Sequence, residues 1–242
     1  MVSKIDYVTV MDIPFSNLTQ KELLKEHIYP RINKENKTYI VTANPEIVMQ
    51  TRIDDVYKNS VKQADFIIPD GTGIVIASKI QGNPIKERVT GFDLMFKLLA
   101  YAEKNQLSCY FLGAKQEVND RAVAKVKAQY PGIKVAGQHH GYFTNDAEVA
   151  QKVAVAKPDL IFVAMGFPRQ ENFIAASLPL FNKGVFMGVG GVFDILAGEM
   201  KRAPRPWIKL NLEWLYRLIK QPFRWKRILK AFEFMFRILI RR

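Results

Sequence analysis

Asp70, in the segment Ile68-Pro69-Asp70-Gly71-Thr72, follows a short apolar run and offers a carboxylate where a buried strand would end. A carboxylate so placed can serve as a general base toward a hydroxyl. The Asp-Gly pair also fits a plain turn, and Asp70 equally suits the cap of a helix beginning near Gly73. Thr42 and Asn44 end another apolar run and offer neutral hydrogen bonds to a polar ligand. Asn44 is also suited to cap a helix with Pro45 at its first position, and the two roles are compatible. Arg169 and Gln170 open a helical stretch after a third run and fit a substrate contact or a surface position equally well. Arg88 precedes the helical signal at Thr90-Gly91-Phe92 and can bind a phosphate or carboxylate, or simply face solvent. His139-His140 suggests a metal site. Adjacent residues on a strand face opposite ways, however, and no Cys or acid stands at ligand spacing, so the pair reads as structural.

These residues need elements to position them. Thr38–Thr42, Phe66–Ile68, Ser108–Leu112, Asp159–Ala164 and Val185–Gly188 are β-branched or aromatic runs that read as buried strands. Phe92–Lys104, Gln116–Tyr130 and Asp146–Ala156 carry apolar residues at helical spacing. Strands alternating with helices of this length predict an open, mostly parallel α/β sheet with helices on both faces. Such sheets bind ligands at the carboxyl ends of their strands. Four of the five post-strand segments contain Gly, but none fits G-x-G-x-x-G or the Walker pattern, which weakens dinucleotide and P-loop readings.

The charge is unevenly distributed. The chain of 242 residues carries +13, and residues 201–242 hold thirteen Lys/Arg against only Glu213 and Glu233, so about +11 sits in the tail and +2 in residues 1–200. The tail also contains all three Trp (Trp207, Trp214, Trp225). Trp207–Lys220 and Phe223–Arg242 read as two helices divided by Pro222. On the second, Trp225, Ile228, Leu229, Phe232, Met235, Phe236, Leu239 and Ile240 share one arc, while Phe234 and Ile238 fall among the basic residues opposite. That pattern fits an interfacial membrane helix. A composition 48% hydrophobic and 24% charged excludes a disordered chain. The single Cys109 cannot form an internal disulfide, and neither a signal peptide nor a spanning helix is expected. The reading is a core over 1–200, a basic appendage over 201–242, and a cytoplasmic location. A nucleic-acid-binding tail is the main competing reading. Packing of the apolar face on the body or in a homo-oligomer is another.

Seven segments in order resemble the WecG/TagA/CpsF glycosyltransferases, glycosyltransferase family 26. They are Thr42–Val48, Pro69–Val75, Glu87–Leu94, His139–Phe143, Gly166–Glu171, Gly188–Asp194 and Lys201–Arg227. The resemblance implies a Rossmann-like core that transfers a sugar with inversion from a UDP-sugar to undecaprenyl-diphosphate-linked N-acetylglucosamine. Similarity to the TagA/TarA type implies N-acetylmannosamine as the sugar and wall teichoic acid linkage-unit synthesis as the setting. N-acetylmannosaminuronic acid or a hexose in capsule or exopolysaccharide synthesis is the alternative. It further implies Asp70 as general base and Thr42, Asn44, Arg88 and Gln170 in the substrate pocket. Arg217, Arg224 and Arg227 would close over the diphosphate, on an appendage that meets the inner face of the cell membrane. The chain has no D-x-D pair of the kind that holds a metal on a diphosphate, so neither metal nor cofactor is expected, and cationic side chains would stabilise the leaving group.

Overall fold

The computed structural model describes residues 5–210, 212–222 and 225–240, without the side chains of Arg205, Lys209, Arg217, Lys226 and Arg227. A two-stranded antiparallel hairpin, β1 (Tyr7–Val10) and β2 (Ile13–Ser16), comes first. Helix α1 (Gln20–Glu22) runs through a π-helical segment, Leu23–Ile28, into α2 (Tyr29–Asn33). The body then alternates: β3 (Thr38–Ala43), α3 (Pro45–Gln50), α4 (Asp55–Lys62), β4 (Phe66–Pro69), α5 (Thr72–Ile80), α6 (Gly91–Lys104), β5 (Ser108–Gly113) and α7 (Gln116–Gln129). It continues through β6 (Lys134–His139), α8 (Asp146–Val155), β7 (Leu160–Ala164), α9 (Arg169–Ser177), β8 (Val185–Gly188) and α10 (Val192–Leu196). The appendage supplies α11 (Arg205–Lys209), α12 (Glu213–Lys220) and α13 (Trp225–Ile240).

Strands β3 to β8 form one six-stranded sheet in the order β4-β3-β8-β7-β5-β6, and every pairing in it is parallel. Strand side chains alternate between its faces, so each central strand feeds two cores. Tyr39, Val41, Tyr110, Leu112, Ile161, Val163 and Phe186 pack against α3, α4, α5, α8, α9 and the hairpin. Ile40, Phe66, Phe111, Phe162 and Met187 pack against α1–α2, α6, α7 and α10. The expected α/β class, parallel sheet and two-sided helical cover are all present.

Several elements were not expected from the sequence, among them the hairpin and β6. The hairpin buries Val8, Val10, Ile13 and Phe15 in the first core. Strand β6 is polar (KVAGQH) and only half-buried at the sheet edge, so it lacks an apolar run to announce it. Gly137 is required there, because a Cβ would lie 2.4 Å from the Tyr110 ring. The first tail helix is also two pieces, α11 and α12, rather than one.

The tail seats differently from its helical-wheel reading. Phe234 and Ile238, the two apolar residues on the basic side of α13, are 0% and 2% exposed and join the first core beside α3 and α5. The broad arc is what faces outward: Trp225, Leu229, Phe232, Phe236, Leu239 and Ile240 are each more than half exposed. A helical wheel cannot identify which apolar stripe the body will cover. A narrow i, i+4 pair is enough to seat a helix, and it leaves the wider stripe open. Among the described residues, no helix is long and apolar enough to cross a membrane.

Candidate active site

The first two parallel strands bring Thr42, Asn44 and Asp70 together. Ala43 pairs with Pro69 in register, and the Asp70 amide donates to the Ala43 carbonyl at 3.0 Å. The chain after β3 and the chain after β4 therefore leave the sheet side by side. Asn44 caps α3, its Oδ1 accepting from the Ile47 amide at 3.0 Å, with Pro45 at the first helical position. Its oxygen is thus committed, and its amide N–H groups are what it can offer a ligand. The N-cap of α5 falls on Gly71, which has no side chain to cap with, so Asp70 does not fill the capping role that the sequence left open. Gly71 is needed for close approach rather than for a special φ. A Cβ there would lie 2.6 Å from Pro45 Cδ.

Asp70 borders a cleft of about 1210 Å³ that runs along the carboxyl edge of the sheet, together with Thr42, Asn44, Gln170 and the Gly190-Gly191 turn. The cleft is larger than the ~300–1,000 Å³ usual for one small ligand. A smaller hollow of about 80 Å³ adjoins it, with Thr42 and Asp70 on its wall beside Gly91, Arg202 and Glu213. Gly91 lets the start of α6 approach Thr42, since a Cβ would stand 3.1 Å from its Oγ1.

Arg88 braces the Asp70 loop. Its Nε donates to the Asp70 carbonyl at 2.9 Å, its Nη1 lies 3.5 Å from Thr72 Oγ1, and its Nη2 reaches Glu213 Oε2 at 3.2 Å. The neighbouring Val89 amide donates to the Pro69 carbonyl at 3.0 Å.

Gln170 lines the cleft but is itself buried. Its Oε1 accepts from the amides of Gly166 and Gly190, at 3.1 and 3.2 Å, and so staples the turn after β7 to the turn after β8. Its Nε2 donates to Glu171 at 2.7 Å, leaving one N–H uncommitted. Glu171 also accepts from the Tyr57 hydroxyl at 3.1 Å. Burial pushes its carboxyl up to about 7 despite these hydrogen bonds. The neighbouring Tyr39 and Tyr57 hydroxyls are held well above their usual range, chiefly by burial and then by the Glu171 charge.

Arg169 is engaged in structure. It donates to the carbonyls of Gly141 and Phe143, at 2.7 and 2.8 Å, and lies over the Phe143 ring. The His pair is a local turn: His139 Nδ1 contacts the His140 carbonyl and His140 Nδ1 accepts from the Tyr142 amide. Strand β6 stops at His139, so the rings come within 4.6 Å instead of pointing to opposite faces. Among the described residues, no group of three His, Cys, Asp or Glu side chains gathers as a metal site. The backbones of Arg217 and Arg227 lie on α12 and α13, but their side chains, and all of Arg224, lie outside the described residues.

Sequence reasoning passed over Glu171, Glu213 and Asn119. Asn119 sits fully buried on α7, and its Nδ2 lies 2.9–3.1 Å from the carbonyls of Phe111, Gly113 and His139, tying together the ends of β5 and β6. A polar residue amid Val118, Ala122, Val123 and Val126 was the available signal.

A model described as the glycosyl transferase WecG/TagA/CpsF family matches residues 8–242. The chain belongs to this family. A Bacillus subtilis (strain 168) protein named N-acetylglucosaminyldiphosphoundecaprenol N-acetyl-beta-D-mannosaminyltransferase is 40% identical over 234 residues, covering 96% of this chain and 90% of that relative. Proteins of the same name from Bacillus spizizenii and from Staphylococcus aureus (strain MRSA252) are each 39% identical, covering 96% and 91% of this chain and 90% and 86% of the relatives. The family resemblance of the seven segments is thereby borne out.

Proposed function

We propose that this chain transfers N-acetylmannosamine from a UDP-sugar to the C4 hydroxyl of undecaprenyl-diphosphate-linked N-acetylglucosamine. The observation that carries the reading is the position of Asp70: it borders the cleft beside Thr42, with its main-chain carbonyl held by Arg88, on a chain of the family whose relatives bear that name. Inversion needs one displacement. The acceptor oxygen bonds to the anomeric carbon, the bond to UDP breaks, and Asp70 takes the acceptor proton. Thr42 and the Asn44 amide would orient the sugars, and Gln170 would hold the two glycine turns that form the cleft wall. Negative charge gathers on the departing UDP, where Arg217, Arg224 and Arg227 would stabilise it in place of a metal.

The lipid acceptor requires a site at the bilayer. Nine of the sixteen exposed large apolar side chains among the described residues lie between Leu210 and Ile240, on a segment that carries most of the net charge. A basic helix with an open apolar stripe favours anionic lipid over nucleic acid. We take residues 201–242 as the unit that rests on the inner face of the cytoplasmic membrane.

The test is transfer from UDP-N-acetylmannosamine to a short-chain lipid-linked N-acetylglucosamine, with and without EDTA. Asp70→Asn should lower kcat by about 10²–10⁴-fold, the span of general-base catalysis, with the fold intact. The wild type should keep its rate in EDTA. Full activity of the Asn variant would refute the role of Asp70, and a strict metal requirement would refute the arginine role.

A further inference from the structure

Glu213 comes from the appendage, yet its carboxylate reaches the core site. It borders the small hollow shared with Thr42 and Asp70, and its side chain and that of Arg88 are 12% and 18% exposed, with 3.2 Å between the charged atoms. Arg88 in turn holds the Asp70 carbonyl. A second ion pair of opposite polarity, Arg202 with Asp93 at 2.9 Å, fixes the start of the appendage to the start of α6, and the Arg202 guanidinium lies over the Phe92 ring. The appendage thus presents a cation and then an anion to a surface offering Asp93 and Arg88. That complementarity fixes the register of α12 on the core.

We propose that Glu213 is a positioning residue for the transfer, acting through Arg88 to set the Asp70 loop only when α12 is seated. The inference rests on the general-base reading of Asp70. The chain of contact is short and directional: the Glu213 carboxylate restrains one nitrogen of a rigid guanidinium, and another nitrogen of the same plane restrains the Asp70 main chain. Removing the carboxylate leaves Arg88 partly buried without this partner and lets its plane rotate. The Asp70 backbone then loses a fixed donor at the position where a small displacement matters most. Glu213 touches no reacting atom in this scheme. Its effect should therefore fall on kcat rather than on donor binding.

The experiment compares Glu213→Ala, Glu213→Gln, Arg88→Ala and the Arg88→Ala/Glu213→Ala double variant, in the full chain with anionic vesicles. Transfer kinetics are read beside hydrogen exchange of the Asp70 and Val89 amides. Glu213→Ala should lower kcat by about 10–100-fold, the scale of a sub-ångström to 1 Å misplacement, with donor KM changed less than about threefold. Glu213→Gln, which keeps an acceptor oxygen, should fall between. The Asp70 and Val89 amides should exchange faster in Glu213→Ala while those of α7 do not change. The double variant should be no slower than Arg88→Ala alone.

Wild-type kcat in Glu213→Ala would overturn the proposal, as would losses that multiply in the double variant. So would a faster enzyme with a lower donor KM, the mark of a carboxylate that merely competes for Arg88. The exchange measurement separates this proposal from the one beneath it. A fully active Asp70→Asn variant would remove the general base yet leave the coupling of Glu213 to the Asp70 loop standing or falling on exchange alone.

Discussion

Replacing Glu171 with Gln should make the protein more stable at neutral pH, by an amount that grows with pH. Glu171 lies 2% exposed on α9, beneath the cleft, where it accepts from Gln170 and Tyr57. Burial raises its carboxyl from 4.5 to about 7, outweighing the hydrogen bonds that act the other way. The folded protein therefore keeps a proton that the unfolded chain releases. The stability this provides is fully present below pH 4.5, is lost as pH rises toward 7, and changes no further above that. A rise of that size corresponds to about 3 kcal/mol. Glutamine has the same shape and no charge to desolvate. Its oxygen can accept from Gln170 and its amide can donate to the Tyr57 oxygen, so both contacts survive. Tyr39 and Tyr57, the groups facing Glu171 from β3 and α4, stay protonated across this range. Urea unfolding at a series of pH values measures the difference. The variant should match the wild type near pH 4.5 and exceed it by about 3 kcal/mol near pH 8, with the same m-value. A difference that is constant with pH, or that shrinks as pH rises, would refute the reasoning.

Three further outcomes follow from the packing. Phe234→Ala should cost α13 about 3 kcal/mol of its seat on α3 and α5, read as roughly 100-fold faster amide exchange in α13 with α6 and α7 unchanged. Phe232→Ser with Phe236→Ser should leave that seat intact but weaken co-sedimentation with anionic vesicles about tenfold or more, as expected for two aromatic rings kept out of lipid. Gly188→Ala should destabilise by about 1–3 kcal/mol and slow transfer, because its Cβ would stand 2.5 Å from Gln170 Nε2 and break the link between the two glycine turns.

The parts of the molecule that were legible in sequence are those where one residue type has one physical use. Central strands such as Leu160–Ala164 are buried on both sides, and nothing but an apolar run can fill them. Asn44-Pro45 reads as a cap because the two residues suit adjacent positions at a helix start. Edge strand β6 was hidden because it needs only one half-covered side and a glycine beneath Tyr110. The cleft was legible where strands end, since Thr42 and Asp70 both border it. It was illegible where chemistry depends on partners distant in sequence. Gln170 sits beside Arg169 in the chain, yet only folding shows that one joins two glycine turns and the other clasps residues 141–143. Arg88 and Glu213, 125 residues apart, likewise share no local pattern to mark them as a pair.

If residues 201–242 rest on lipid as proposed, the seat of α13 decides how the molecule would meet a bilayer. A basic tail on a loose tether would raise the local concentration of enzyme at the lipid and leave the cleft free to tumble. Here Phe234 and Ile238 belong to the same core as Ile47 and Ile74, on the helices that begin beside Asn44 and just after Asp70. On the proposed membrane reading, the open stripe of α13 would enter head groups with no loose tether between anchor and cleft. Docking on lipid would then fix a heading as well as an address, so that the cleft would meet each lipid-linked acceptor at the same inclination.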